Sequence, residues 1–265
     1  MKRSLFQAVT ALLSVLVLIS NAAAQDAKTT DAAKSAEPAK SSETSKQVVA
    51  VFRLKGGLTE TPTDESFPFA LEQTTALKSL VQRMQKAAAD KDVRAVVITL
   101  SDFGAGFAQI EELRQAIAGL RAAGKDVYAH ADSLSMPQYL LLSGATQLSV
   151  VPTGDLWITG LAGESLHVRK LLDLIGAKPD FLTCGAYKSA AEMFMRPSPS
   201  KEADEMNNWL LDSLYESSLK LIAGGRGVTP EKVRQWIDEG PYTATKAKEA
   251  GLIDAVQHRQ DFEAD

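Results

Sequence analysis

With one cysteine in 265 residues, the chain can make no intrachain disulfide, although an exported protein could use one. Cys184 reads as a small core residue in an expected strand. The alternative, a catalytic thiol, lacks an accompanying strand-end histidine. Histidine is scarce as well. His130, His167 and His258 stand in no ligand spacing, and without a cysteine pair zinc has no thiolate set. Nor is there an excess of basic residues. The 29 Lys and Arg face 33 Asp and Glu, net −4, and nothing basic clusters, which argues against nucleic acid as a partner. Walker phosphate loops and Rossmann glycine fingerprints are both missing, and nothing suggests a Ser-His-Asp triad. What is left is an ordinary globular composition, 45% hydrophobic and 23% charged. A chain this long can build one or two domains without metals or disulfides.

Residues 1–24 have the order of a secretory signal peptide: "MKR", an apolar stretch from Leu5 to Ser20, then small residues at Ala22 and Ala24. The alternative is a retained membrane anchor, for which the run is short and broken by Gln7, Thr10 and Ser14. Residues 25–46 hold no aromatic and no large aliphatic side chain, so they are expected to be a disordered linker. From residue 47 to 265 the pattern is that of a folded domain.

Within it, strands and helices alternate. "VVAVFRL" (48–54), "VRAVVITL" (93–100), "DVYAH" (126–130), "QLSVV" (147–151) and "PDFLTC" (179–184) read as strands, the second with the continuous β-branched run of a strand buried on both faces. Helical spacing is expected over about 71–89, 108–123, 137–145, 164–176 and 201–225, and again in "TPEKVRQWIDEG" and "TATKAKEAGLID" behind threonine caps. The prediction is an α/β domain of βαβ units on a parallel sheet, extended by helices after Pro199. The 201–225 helix carries a wide apolar stripe from Met206 to Ile222. Part of that stripe is expected to stay uncovered by the chain's own fold.

Chemistry in such folds gathers at the loops after the strands, and three stand out. In "SDFGAGF", Gly104 and Gly106 could turn backbone amides toward an anion, or merely form a flexible turn. In "SLSMPQY", Ser133 and Ser135 precede a helix that Pro137 opens. They read as caps, with nucleophile duty the alternative. In "GAYKSAAE", Lys188 lies between an expected strand and a run of small residues. A lysine that acts as a base must lose its proton near neutral pH, which burial and the positive end of a helix both favour. Lys188 is therefore expected to be largely buried, its amine facing a groove; a solvated lysine is the alternative.

"GAYKSAAEMFMR" resembles the lysine motif of signal peptide peptidase A, peptidase family S49, and the similarity runs from about Val48 to Val256 through "VRAVVITL", "YLLLSGA" and "GPYTATKAKEAGLIDA". The resemblance implies a ClpP/crotonase-like fold and a Ser-Lys dyad that hydrolyses peptide bonds, with no metal, nucleotide or other cofactor. Lys188 would be the general base, and Gly104 and Gly106 would supply oxyanion-type amides. It implies peptide substrates (remnant signal peptides or unfolded segments), an extracytoplasmic location, contact with a membrane surface, and ring-like oligomers. The nucleophile does not transfer. Short family members carry Ser-Gly-Gly-Tyr-Tyr, and setting Tyr139 on the first tyrosine puts Met136 on the serine. Long members hold two repeats, lysine in the first and serine in the second, and this chain resembles the first. Two readings stay open. One is half of an exported Ser-Lys peptidase, with Ser135 a weak candidate nucleophile. The other is an S49-like module that binds peptides or a partner without chemistry. Acyl-CoA chemistry, which the fold group also hosts, fits poorly with export.

Overall fold

The computed structural model describes residues 47–61 and 75–264. The expected signal peptide (1–24) and linker (25–46) lie outside these residues, as does the stretch 71–74 of the first expected helix. The strands are β1 (Val48–Thr59), β2 (Thr75–Ala76), β3 (Val93–Gly104), β4 (Asp126–Ala131), β5 (Leu134–Ser135), β6 (Gln147–Val150), β7 (Asp155–Trp157), β8 (Tyr242–Thr243) and β9 (Ala255–Val256). Six of them form a parallel sheet in the order β2-β1-β3-β4-β6-β9, and β5-β7-β8 form a smaller one. The α/β parallel-sheet class read from the sequence is the class observed.

The helices are α1 (Leu77–Ala89), α2 (Phe107–Ala122), α3 (Met136–Leu142), α4 (Arg169–Leu174), α5 (Glu192–Met195), α6 (Lys201–Arg226), α7 (Pro230–Glu239), α8 (Ala244–Ala250) and α9 (Arg259–Ala264). One face of the sheet, carrying Phe52, Leu54, Val96, Ile98, Val127 and Ala129, is buried in one cluster with Leu80 and Met84 of α1 and with Ile110, Leu113 and Ile117 of α2. Each such side chain is worth roughly 1.5–3 kcal/mol when fully buried. Thr229 and Thr243 cap α7 and α8 by accepting from the amides of Lys232 and Lys246, as their sequence pattern requires.

Three expectations are corrected. "SDFGAGF" is not a loop throughout: β3 runs on to Gly104, because Phe103 and Gly104 pair with Gly56 and Gly57 of β1. A register shift between Lys55 and Gly56, and a left-handed Asp102 at φ 47°, accommodate the extra pairing. "PDFLTC" is not a strand. Among the described residues no sheet edge pairs with it, residues 180–184 lie exposed, and Phe181 stacks on Phe194 at 5.7 Å instead. Cys184 is accordingly exposed, not a core residue. The helix expected over 164–176 shrinks to α4, because the amide of Val168 is donated to the Met193 carbonyl and His167 Nδ1 lies 3.1 Å from the Arg196 carbonyl oxygen.

The long helix runs one residue past the Gly224-Gly225 end expected of it and stops at Gly227, in a left-handed conformation at φ 66°. Its C-terminal half is buried through Leu219, Ile222 and Ala223, whereas Met206, Trp209 and Leu210 stay exposed. Part of the apolar stripe is thus uncovered, as expected. The buried half is pinned by Arg114 of α2, whose guanidinium donates to the Leu221 carbonyl at 2.8 Å. Burial pulls the Arg114 guanidinium down to about 10. The space exists because Gly144 and Gly225 have no side chains: a Cβ on Gly225 would lie 2.3 Å from the Ser143 carbonyl oxygen and 2.7 Å from Arg114 Nη2. Gly225→Ala should therefore destabilise the fold by about 1–3 kcal/mol, the cost of overpacking. An ordinary helix interior would instead gain up to about 1 kcal/mol from that change. Urea unfolding of the two proteins decides it: an unchanged or raised midpoint refutes the close approach.

Candidate active site

The carboxyl ends of β1 and β3 meet the starts of α2 and α3, and both helix starts are closed by the same device. At α2, the Gly106 amide donates to Oε1 of Gln109 at 2.9 Å, and Gln109 Nε2 reaches Oε1 of Glu60 at 2.7 Å. At α3, the Ser135 amide donates to Oε1 of Gln138 at 2.9 Å, and Gln138 Nε2 donates to the Phe103 carbonyl at 3.0 Å. In each case the third helical residue is a glutamine that folds back on the cap, as in a capping box. Gly104, Gly106 and Ser135 are thus gathered at one end of the sheet, with Gln138 joining α3 to the residue beside Gly104. Open space adjoins the Cα of Gly104. The Gly106 amide is already occupied.

Met136, which the resemblance sets on the serine of the short family members, is buried at the first position of α3, and Pro137 follows it. A helix start offers anion-binding amides from its first turn. Proline has none to give at its position. This end of the chain therefore lacks both a hydroxyl at 136 and an amide at 137. Ser135 pairs across β5 with Trp157 of β7, whose indole donates to Oδ2 of Asp155 at 2.9 Å and stays largely exposed. His130 is not part of this end. It is buried, its Nδ1 sits 2.8 Å from Ser149 Oγ, and Phe262 of α9 stacks on it at 4.8 Å. Burial lowers its pKa below the ordinary histidine value.

Lys188 corrects the expectation of burial. It is exposed, on an arm between Ile158 and Ser200 that also touches α6, where the Tyr187 hydroxyl donates to Glu205 Oε2 at 3.2 Å. The expected strand before it does not form, so no apolar wall lies against the amine. The Lys188 amide donates to the Gly185 carbonyl at 3.1 Å, and a single 3₁₀ turn, Ser189–Ala191, leads into α5. The arm is anchored by a residue that the sequence reading overlooked. Glu192 accepts from the Ser200 amide at 2.8 Å and from the Ser200 hydroxyl at 2.6 Å, while that hydroxyl caps α6 through the Ala203 amide. Glu192 closes the quoted motif "GAYKSAAE", yet nothing in its spacing shows that it turns back onto the next helix. Among the described residues no hydrogen bond links the Lys188 side chain to Gly104, Gly106 or Ser135, and no three His, Cys, Asp or Glu side chains gather as a metal site.

A profile of peptidase family S49 matches residues 119–264, over half of the chain. The chain belongs to peptidase family S49. It is 28% identical over 183 residues to the chloroplastic serine protease SPPA of Arabidopsis thaliana, covering 69% of this chain and 27% of that one. It is 30% identical over 195 residues to Protease 4 of Haemophilus influenzae, covering 69% and 31%, and 28% identical over 200 residues to Protease 4 of Salmonella typhi, covering 72% and 32%. The chain thus spans about three tenths of the length of these relatives. Among the described residues no helix is long and apolar enough to cross a membrane.

The Glu192 anchor has a pH signature. Hydrogen bonds from Ser200, side chain first and then backbone, hold the Glu192 carboxyl below its ordinary value. A carboxyl lowered on folding stabilises above its unfolded pKa, and that contribution is lost as pH falls through the folded one. The Ser200 amide resonance should therefore titrate with the Glu192 carboxyl, at a pH below the ordinary glutamate value, and the step should vanish in Glu192→Gln. Titration at the ordinary value would mean that the anchor is not formed in solution.

Proposed function

We propose that this chain is the lysine half of an exported Ser-Lys endopeptidase of family S49, with the serine supplied by a second repeat or a second chain. One combination carries the reading. The family's lysine motif is present on an uncovered arm, and the family's serine position holds a buried Met136 followed by Pro137. Lys188 is the general base, and its neutral amine takes the proton of the partner's serine hydroxyl as that oxygen attacks a peptide carbonyl. The proton then passes to the leaving amine, and water releases the acyl group. Base duty needs the amine desolvated. The exposed side chains around Lys188, Tyr187 and Met193 among them, are where a partner would bring that about. Glu192 holds the lysine turn to α6. The Gly106 amide becomes available as an oxyanion donor only when Gln109 turns away from it.

The substrates on this reading are peptides in extended form, remnant signal peptides or unfolded segments, met near a membrane surface after export. The signal-peptide pattern of residues 1–24 supports the location. The same Met136-Pro137 pair favours a second reading, an S49 module that binds peptide or partner and performs no chemistry.

The decisive measurement is cleavage of an unfolded protein by the purified chain, alone and mixed with a serine-bearing S49 repeat. Alone it should show no turnover. The mixture should cleave, and Lys188→Ala should lower the rate at least about a hundredfold, the low end of what a general base contributes. Peptide retention without turnover in every mixture would leave the binding module standing. Cleavage by the isolated chain, abolished by Ser135→Ala, would overturn the shared site and make Ser135 the nucleophile.

A further inference from the structure

Over most of its length β1 is paired on one side only. β3 takes its inner edge from Val48 to Gly57, whereas β2 reaches only Leu58 and Thr59 on its outer edge. Among the described residues nothing else pairs with that outer edge, so the backbone groups of residues 49–57 that point away from β3 have no partner. Such a row is a template for a further strand. At about 3.3 Å per residue the free stretch is roughly 30 Å long.

Both flanks of this edge are positively charged. Above it, α1 turns Leu80, Met84 and Ala87 into the core and Val81 and Gln85 toward α2. The remaining side, which holds Arg83 and Lys86, therefore overhangs the outer edge. The Arg83 guanidinium lies 5.3 Å from the centre of the Phe52 ring of β1. Below the edge, on the opposite face of the sheet, Arg53 and Lys55 are exposed beside Val49 and Val51, themselves 56% and 44% exposed. Among the described residues none of the four cations has a carboxylate within ion-pair distance. Asp90, at the end of α1, accepts from the Asp92 amide instead. Charges on a sheet edge normally guard it against pairing. Here they are of one sign, which repels a second copy of the same edge and attracts an acidic strand.

We propose that the outer edge of β1 binds an extended acidic peptide, an acidic stretch of unfolded protein, as an added strand. Successive side chains of a strand point to opposite faces. Carboxylates directed upward meet Arg83 and Lys86, and those directed downward meet Arg53 and Lys55, with apolar neighbours resting on Val49 and Val51. Main-chain bonds supply affinity whatever the sequence, and the cations select carboxylate-rich segments. None of these residues belongs to the lysine arm, so the proposal does not depend on the base role of Lys188.

The probe is a fluorescein-labelled octapeptide, Glu-Glu-Val-Val twice over, whose two faces both carry carboxylates. It is titrated into the purified chain and followed by fluorescence polarisation. Binding is expected, less tight at high salt. N-methylation at every valine, which removes strand donors on both edges of the peptide, should weaken it at least about tenfold. The same loss is expected from Arg53→Glu with Lys55→Glu, and from Arg83→Glu with Lys86→Glu, all exposed positions outside the core. A peptide with lysine in place of glutamate should bind the Arg53→Glu, Lys55→Glu protein better than the unaltered chain. No binding of the acidic peptide would overturn the proposal, the result expected if another part of the chain or a second copy held this edge. So would equal binding of the N-methylated peptide, which would reduce the contact to charge alone, or binding that ignores both pairs of charge reversals.

Discussion

The position of everything beyond Pro199 depends on a 26-residue helix fixed at one end. Leu219, Ile222 and Ala223 lock the C-terminal half of α6 into the core, and the Arg114 guanidinium, threaded past Gly144 and Gly225, ties it to α2. Two large apolar side chains buried in that half are worth roughly 1.5–3 kcal/mol each. The N-terminal half has no comparable hold: Met206, Trp209 and Leu210 face outward. Its beginning is joined through Ser200 and Glu192 to the lysine arm. One end of the arm is thus carried on the far end of a helix that Arg114 pins, and the other end leaves the core at Ile158 after β7.

The carboxyl end of the sheet has a different character. There the backbone donors that a reaction centre would use are already satisfied within the chain. Gln109 takes the Gly106 amide, Gln138 takes the Ser135 amide, and Pro137 has none. A capping box contributes on the order of 1 kcal/mol to a helix start. An incoming oxyanion must displace that bond before it gains one. Such an end holds its helices well and welcomes an anion poorly. Among the described residues no hydrogen bond joins the side chain of Lys188 to the closed helix starts, and its arm meets the rest of the domain through β7 at one end and α6 at the other.

Much of this was legible in the chain. The β-branched run of Val93–Leu100 gave its strand, the threonine caps and Pro230 gave α7, and the excess of large apolar residues between Met206 and Ile222 gave a stripe too wide for one core-facing side. Failures cluster in the arm. "PDFLTC" has the composition of a buried strand, yet a strand forms only against an available edge. All β-type runs before it had already paired with each other. Lys188 inherited that error, since its expected burial rested on the strand in front of it. The overlooked roles of Glu192, Gln109 and Gln138 share one cause. Each side chain acts by turning back on a backbone amide, and whether it does so is decided by tertiary placement. The loss of an amide at Pro137 was readable, but only once Met136 had been placed at the head of α3.

The exposed arm and the exposed lysine are one problem seen from two sides. An arm with Leu166, Leu174, Ile175 and Leu182 in solvent exceeds what scattered surface residues explain, and on the proposed reading it is the surface that a partner covers. The base role proposed for Lys188 needs low-dielectric surroundings, and the described residues of its own chain provide none. The same covering surface would answer both needs. It would bury the aliphatic side chains, which drives the contact, and strip water from the Lys188 ammonium, which the contact energy has to offset. Catalytic competence would then follow from assembly and not from the fold of a single chain. The arm is rooted at both ends, at β7 through Ile158 and at α6 through the Glu192–Ser200 anchor, and those two roots set where that covering surface must arrive.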